Sequence, residues 1–280
     1  MNLSNWWQSL PSKMDPILLQ IGPLSIYWYS TMYLVAFLVV FLLGKQQIQN
    51  NKFRLLNLNQ FEDLLTWCFI GVLLGGRLGY VFFYNFDYYF SNPLEILIPF
   101  ANQNGQWVFT GIAGMSYHGG VLGVVVAIYL YAKKMSLHLF QLADFLTPLI
   151  PLGYFFGRIG NFINGELYGR VTEASIGMIF PNSGSFLLRH PSQLYEAFFE
   201  GIILYFIIKN LQNSSFLGWN SGLYVFGYGF FRFFIEFYRE PDSHLGLILL
   251  NLSMGQLLCI LMMISAVSIW LIGKKIILKD

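Results

Sequence analysis

Gly157-Arg158-Ile159-Gly160-Asn161-Phe162-Ile163-Asn164-Gly165-Glu166-Leu167-Tyr168-Gly169-Arg170 sets two arginines, a glutamate, two asparagines and four glycines into a chain otherwise suited to lipid. Of the 280 residues, 56% are apolar and 11% charged, and the mean hydropathy is +0.56. With 19% aromatic residues added, this composition fits neither an ordinary soluble domain nor a disordered one, but it does fit a polytopic helical membrane protein. Ionisable groups at membrane depth are costly and mark a site by default. The stretch therefore both identifies the surroundings as bilayer and points to where function lies.

Working outward, a crossing helix takes about 20 mostly apolar residues. Upstream, residues 24–44, 64–84 and 117–132 meet that need, followed by 139–157 with Asp144 near its start and Pro148 and Pro151 inside. Downstream lie 193–211, 221–238 and 245–273. The expected fold is an all-α integral membrane protein, a bundle of about seven transmembrane helices with a small periplasmic head. It forms a single polytopic domain over 1–280, with an arm-like periplasmic insertion at 85–116 and a head segment, including a short hairpin, at 158–192. Glycines four apart (Gly71, Gly75 and Gly79; Gly119 and Gly123; Gly153 and Gly157) predict close helix packing.

Lysine and arginine bias orients the bundle. Lys45, Lys52, Arg54, Lys133, Lys134, Lys209, Lys274, Lys275 and Lys279 fall in loops of one side, which is therefore cytoplasmic. The other side holds Lys13, Arg158, Arg170, Arg189 and Arg239. Seven spans then put the N-terminus outside and the C-terminus inside. Residues 1–23 carry one basic residue, Lys13, and are broken by Pro11, Pro16 and Pro23, unlike a cleaved signal peptide. A net charge of +2 with dispersed basic residues argues against a nucleic-acid partner. Cys68 and Cys259 lie in apolar runs and read as buried hydrophobes. His118, His138, His190 and His244 are far apart, and no metal-ligand spacing occurs.

Arg232 and Glu236, four apart on one helix, share a face that must point inward, because a lipid-facing pair is expensive. Arg158, Arg232 and Arg239 in one interior would repel one another unless an anion were present, with Glu166 and Glu236 neutralising part of the charge. A phosphate fits the planar guanidinium fork. A structural ion pair locking two helices is the plainer role for Glu236. His118, inside Ser116-Tyr117-His118-Gly119-Gly120, is a candidate base, since histidine is the side-chain type suited to proton transfer near neutral pH, or else caps a helix at the interface. Ser192 in His190-Pro191-Ser192-Gln193-Leu194-Tyr195-Glu196 suits an N-cap, with Glu196 and Glu200 complementing the helix start or pairing with arginines. Tyr29 suits the aromatic belt. No G-x-S-x-G, HExxH or P-loop is present, so in an enzyme reading the nucleophile belongs to the substrate. An anion channel explains inward arginines but not a site set towards one face, and an intramembrane protease needs a Ser/His or paired-Asp arrangement, whereas Asp144 stands alone.

Taken together, these segments resemble the prolipoprotein diacylglyceryl transferase family over nearly the whole chain. The resemblance runs through Ile21-Gly22-Pro23, Trp28-Tyr29, Gly75-Gly76-Arg77-Leu78-Gly79-Tyr80, Met115 to Gly120, and the opening stretch to Gly169, which is the family's signature. It continues through His190 to Glu196, Arg232-Phe233-Phe234-Ile235-Glu236-Phe237-Tyr238-Arg239-Glu240-Pro241-Asp242, and Ser253-Met254-Gly255-Gln256. The segment between Arg170 and His190 is shorter than in many members.

The resemblance implies transfer of the diacylglyceryl group of phosphatidylglycerol to the lipobox cysteine of a prolipoprotein signal peptide. Glycerol 1-phosphate leaves, at the outer face of the bacterial inner membrane. It implies that Arg158 and Arg232 bind the lipid head group, that His118, Tyr29 and Glu236 serve activity, and that Asn161, Glu166, Gly169 and Arg239 complete the site. Its partners are phosphatidylglycerol, the prolipoprotein and membrane lipids, and no metal or organic cofactor is called for.

Overall fold

The first predicted span begins as a strand. In the computed structural model, α1 (Leu3–Gln8) is followed by β1 (Ile17–Ile21) and β2 (Leu24–Tyr27), which pair antiparallel. Gly22, at φ +59°, lies in the turn between them. The Trp28 N–H donates to Pro16 O at 2.9 Å, which closes the hairpin and moves the start of α2 (Trp28–Gln49) four residues downstream of Leu24. The structure describes residues 3–22, 24–50, 55–98, 100–103, 106–109, 114–212, 216–240, 247–249 and 252–277. Pro23, Lys52, Arg54, Pro241, Asp242, His244 and Lys279 lie outside the described residues.

The chain divides into two compact units, Phe53–Leu142 and the remainder, Met1–Lys52 with Ala143–Asp280. The first holds α3 (Leu58–Tyr84), α4 (Phe86–Ser91), the hairpin β3 (Phe100–Gln103) and β4 (Gln106–Phe109), and α5 (Tyr117–Lys134). Asn57 and Gln60 cap α3 reciprocally, at 2.9 Å each way. Ser116 caps α5 through the Gly119 N–H. The predicted glycine contact forms between these two helices: a Cβ on Gly71 would stand 2.6 Å from Gly123 O, and one on Gly79 2.7 Å from Gly119 Cα. Arg77, the charge inside α3, is buried and donates to the carbonyls of Ile96 (2.7 Å), Glu95 (2.6 Å) and Gly114 (3.3 Å). Its guanidinium lies over the Tyr89 ring. This internal charge thus ties the ends of the 95–114 segment to α3.

In the larger unit, α7 (Ile150–Ile163) packs on α2, and α7 follows α6 (Leu139–Leu146) with a bend of 53°. Pro148 and Pro151 account for the break, since proline cannot complete the helical ladder. Gly153 meets α2 at Val40 as expected, but Gly157 has nothing within 4 Å, and Gly160 takes its place by facing Tyr29 and Met32. Beyond the connection 164–191 come α8 (Ser192–Glu196), a wide π turn (Ala197–Ile203), α9 (Leu204–Leu211) and α10 (Trp219–Ile235). Then β5 (Leu247–Leu249) pairs with β6 (Leu252–Ser253), ahead of α11 (Met254–Ile277). Among the described residues three short antiparallel strand pairs join the helices, each at a place where the sequence predicts none.

The 164–191 connection forms isolated bridges, Val171 and Met178 each to Arg189, where a hairpin was expected. Its core is Phe162, Met178 and Phe180, packed against Trp7, Leu10 and Leu194.

Among the described residues, Trp28–Gln49, Leu58–Tyr84 and Met254–Ile276 are long and apolar enough to cross a membrane, and the bent α6–α7 pair makes a fourth if it is one span. The chain is thus a helical membrane protein. Of the other predicted spans, 117–132 lies in the 18-residue α5, 193–211 is interrupted by the π turn, and 221–238 falls largely on α10, which runs 17 residues.

Asp144 is solitary in sequence but not in space. Its carboxylate accepts from Gly218 N (2.6 Å), Ser221 N (2.8 Å) and Ser221 Oγ (2.6 Å), and so caps the start of α10 from α6. Replacing Asp144 with Ala strands three buried donors, and about 3 kcal/mol of stability should be lost. Thermal unfolding in detergent checks this; a midpoint unchanged within about 2 °C defeats it.

Candidate active site

Glu196 is fully buried at the end of α8, and arginines from three places converge on it. Arg158 Nε of α7 lies 2.7 Å from Oε2, Arg232 NH1 of α10 lies 2.7 Å from Oε1, and Arg239 NH1 lies 3.7 Å from Oε1. Glu200, one step along in the π turn and also fully buried, lies 3.8 Å from Arg232 NH1. Glu236 approaches Arg232 Nε at 3.5 Å and Arg239 Nε at 3.9 Å. The Tyr154 hydroxyl donates to Glu200 and lies 3.2 Å from Glu196 Oε2, while its ring lies under the Arg158 guanidinium at 4.7 Å. Three arginines thus face three glutamates. Burial of charge is tolerable only when it is paired, and each of these carboxylates faces at least one arginine.

From Arg158 a polar chain continues outward. Its NH1 donates to Asn161 Oδ1 (3.1 Å), and Asn161 Nδ2 donates to Glu166 Oε1 (2.8 Å). Tyr29, in the first turn of α2, packs where Gly160 leaves room, and its hydroxyl lies 3.1 Å from that of Tyr33. Gly169 bridges to Arg239, and a Cβ there would strike the Tyr238 carbonyl and stand 2.9 Å from His190 Cβ, so the close approach needs glycine. Arg170 donates to Arg239 O at 2.7 Å, and Arg189 pairs with Glu240 at 2.6 Å. In this same connection, burial lowers the pKa of His190, whose Nδ1 lies 3.0 Å from the Tyr195 hydroxyl. Gly255 at the start of α11 gives Glu236 its place, since a Cβ would sit 2.6 Å from Oε1.

Beside the cluster is a mostly apolar cleft of ≈ 490 Å³, whose walls include Tyr195, Phe199, Phe231, Ile235 and Tyr238. Each of these residues directly precedes a member of the ionic cluster: Glu196, Glu200, Arg232, Glu236 or Arg239. Successive α-helical residues are about 100° apart, so α8 at Tyr195–Glu196 and α10 at Phe231–Arg232 turn one residue to the apolar cleft and the next to charge. Among the described residues no three His, Cys, Asp or Glu side chains gather as a metal site.

Of the residues singled out from sequence, the larger unit brings together Arg158, Asn161, Glu166, Arg232, Glu236 and Arg239, with Tyr29 and Gly169 against them. His118 belongs to the other unit, where it is exposed in the first turn of α5. Three expectations change. Arg158 and Asn161 lie within α7, not past its end. Glu166 neutralises no arginine in the cluster but accepts from Asn161; Glu196 and Glu200 supply the balance alongside Glu236. Ser192 is no N-cap, because its hydroxyl donates to Leu167 O at 2.9 Å. Tyr154 went unnoticed in the sequence, although it stands four residues before Arg158 on the same helix face.

A bundle of apolar helices around a buried, charge-balanced ionic centre, with an apolar cleft beside it, is the build of a membrane-embedded site for an amphiphile. Comparison with known proteins agrees. The prolipoprotein diacylglyceryl transferase family profile matches residues 16–272, and the chain belongs to that family. It is similar to the phosphatidylglycerol–prolipoprotein diacylglyceryl transferase of Chlorobaculum tepidum, 49% identical over 280 residues covering 98% of this chain and 95% of the relative. The enzyme of that name from Idiomarina loihiensis is 46% identical, covering 97% of each chain, and that of Rickettsia felis is 45% identical over 90% of this chain and 94% of its own. The chain is accordingly a transferase that acts in lipoprotein modification.

Proposed function

We propose that this chain moves the diacylglyceryl group of phosphatidylglycerol onto the lipobox cysteine thiol of a prolipoprotein. The observation that carries the reading is the shared carboxylate: Glu196 holds guanidinium groups from two helices at 2.7 Å each. That fixes two planar, five-donor cations on one buried spot, and a phosphate ester can take up the donors not given to Glu196. The neighbouring apolar cleft suits a ligand with both an anionic head and hydrocarbon chains.

In the proposed step the cysteine sulfur forms a bond to the terminal carbon of the acylated glycerol. The carbon–oxygen bond to phosphate breaks, its electron pair stays on the phosphate oxygen, and glycerol 1-phosphate leaves. His118 accepts the thiol proton. A free thiol has a pKa near about 8.5, so only a few per cent is thiolate at neutral pH and a base is needed. Arg158 and Arg232 stabilise the charge building on the leaving phosphate, an effect largest where water is excluded. Glu236 orients Arg232, while Tyr29, Asn161, Glu166, Gly169 and Arg239 shape the head-group site. The step calls for no redox partner or group carrier.

In the same reading the chain is a multi-pass protein of the bacterial inner membrane, one polytopic domain of about seven spans. Its N-terminus is periplasmic, its C-terminus is cytoplasmic, and its site opens to the periplasmic leaflet, with 85–116 and 158–192 on that side. The lysine asymmetry and the family relationship support this arrangement.

The test uses the purified chain in vesicles of phosphatidylglycerol labelled in its acylated glycerol, with a lipobox peptide. Label should pass to the cysteine peptide and not to its Cys→Ser counterpart; no transfer overturns the reading. In the same assay His118→Gln should lower kcat about 100-fold or more with little change in lipid KM. The residual rate should rise roughly tenfold per pH unit between about pH 6.5 and about pH 8.5, as the thiol ionises unaided. Activity equal to the parent's rules out the base role.

A further inference from the structure

Four consecutive carbonyls of the turn after α7 are each held by a side chain from outside that turn. Asn182 Nδ2 donates to Asn164 O (3.0 Å) and Gly165 O (3.3 Å), Gln193 Nε2 to Glu166 O (2.6 Å), and Ser192 Oγ to Leu167 O (2.9 Å). The turn needs holding. Gly165 has φ +66°, and Leu167 has φ +60°, which is costly for a side chain that offers no hydrogen bond of its own. Ser192 and Gln193 are fully buried, so neither hydroxyl nor amide is exchanging with water.

The consequence lies in where these two residues sit. They open α8, the five-residue helix that ends on Glu196. From Gln193 the connections run to the Glu166 backbone, from the Glu166 carboxylate to Asn161, from Asn161 to Arg158, and from Arg158 to Glu196, three residues on from Gln193. The ring is closed. One short helix grips the backbone of the signature turn at one end and the guanidinium groups at the other, and the turn's own side chains complete the circuit. Hydrogen bonds in such a ring polarise and constrain one another, and loosening one member shifts the rest.

We infer that Ser192 and Gln193 are positioning residues for the transfer reaction. They touch no substrate, and they set the place of the Arg158 guanidinium through Glu166 and Asn161. This rests on the proposed function. A displacement near 1 Å at a charge-stabilising group costs on the order of 100-fold in rate.

The experiment measures transfer kinetics per folded molecule, with folded protein quantified by size exclusion and thermal unfolding. Gln193→Leu removes the donor at similar volume, and Ser192→Ala removes one oxygen. The expected result is a kcat about tenfold or more below the parent for Gln193→Leu and about threefold below for Ser192→Ala, with lipid KM changed less than about threefold. Asn161→Ala cuts the ring elsewhere, so adding Gln193→Leu to it should cost less than about threefold more, because coupled sites are not additive. A merely structural role would reduce the yield of folded protein and leave these ratios alone. Full additivity, or kcat within about twofold of the parent in both single variants, overturns the inference. If Gln193→Leu does not fold, Ser192→Ala and its pairing with Asn161→Ala decide. A parent that transfers label while the variants match it sinks only this inference, whereas a parent that transfers none sinks the function and this inference with it.

Discussion

Glu196→Ala should abolish transfer and destabilise the protein more than any other single change in the ionic cluster. Arg158, Arg232 and Arg239 share this carboxylate, and its removal leaves three partly buried guanidinium groups with Glu200 and Glu236 as the remaining carboxylates that pair with them among the described residues. Breaking a buried ion pair from one side costs about 3–5 kcal/mol, because the partner charge remains without water or counter-charge. For a chain of this size that is roughly a 10 °C fall in Tm. Glu196→Gln keeps the shape and one acceptor but turns an amide N–H towards a cation, so its stability loss should be about half as large. Thermal unfolding in detergent and label transfer measure the two effects. A Tm within about 2 °C of the parent for Glu196→Ala would mean that the cluster is not what joins α7, α8 and α10.

Arg232→Lys should lower kcat about 100- to 1000-fold, the usual cost of losing one donor aimed at developing negative charge. Lysine keeps the charge. What it loses is the planar fork through which Arg232 meets Glu196, Glu200 and Glu236 together while presenting further donors to a phosphate. Lipid KM should rise less than kcat falls, because the interaction tightens as the phosphate leaves. A variant with the parent's kcat would remove the arginine grip from the proposed mechanism, whatever became of the base.

The features most legible in the sequence were those that spacing alone dictates. Gly71, Gly75 and Gly79 against Gly119 and Gly123, and Arg232 with Glu236, follow from helical period and the cost of charge in lipid. The asparagines and glycines of the opening stretch were equally conspicuous against an apolar background. What spacing does not encode is which helix lies across from which. Glu196 looked like a helix-start residue because Ser192 precedes it, yet its partner Arg158 lies 38 residues upstream on another helix, and Ser192 is recruited by a carbonyl of the intervening connection. Arg77 shows another limit: spacing does not reveal that this charge within α3 holds the carbonyls of Glu95 and Ile96. The β1–β2 hairpin was hidden because an apolar strand and an apolar helix start read alike until a proline carbonyl closes the hairpin.

The wide turn at Ala197–Ile203 has an effect on register. Glu196, Glu200, Leu204 and Ile208 are spaced by four and all are fully buried. In an unbroken α-helix each step of four overshoots a full rotation by about 40°, so four such residues would wind about a third of the way around the cylinder. The looser winding takes up that drift and lets two acids and two aliphatics stand in one straight file. Rewinding this segment as ordinary α-helix at unchanged length would turn the file into a spiral and swing Glu200 away from the side that holds Glu196 and Arg232. The cation grip therefore depends on how this helix is wound as much as on the identity of its residues.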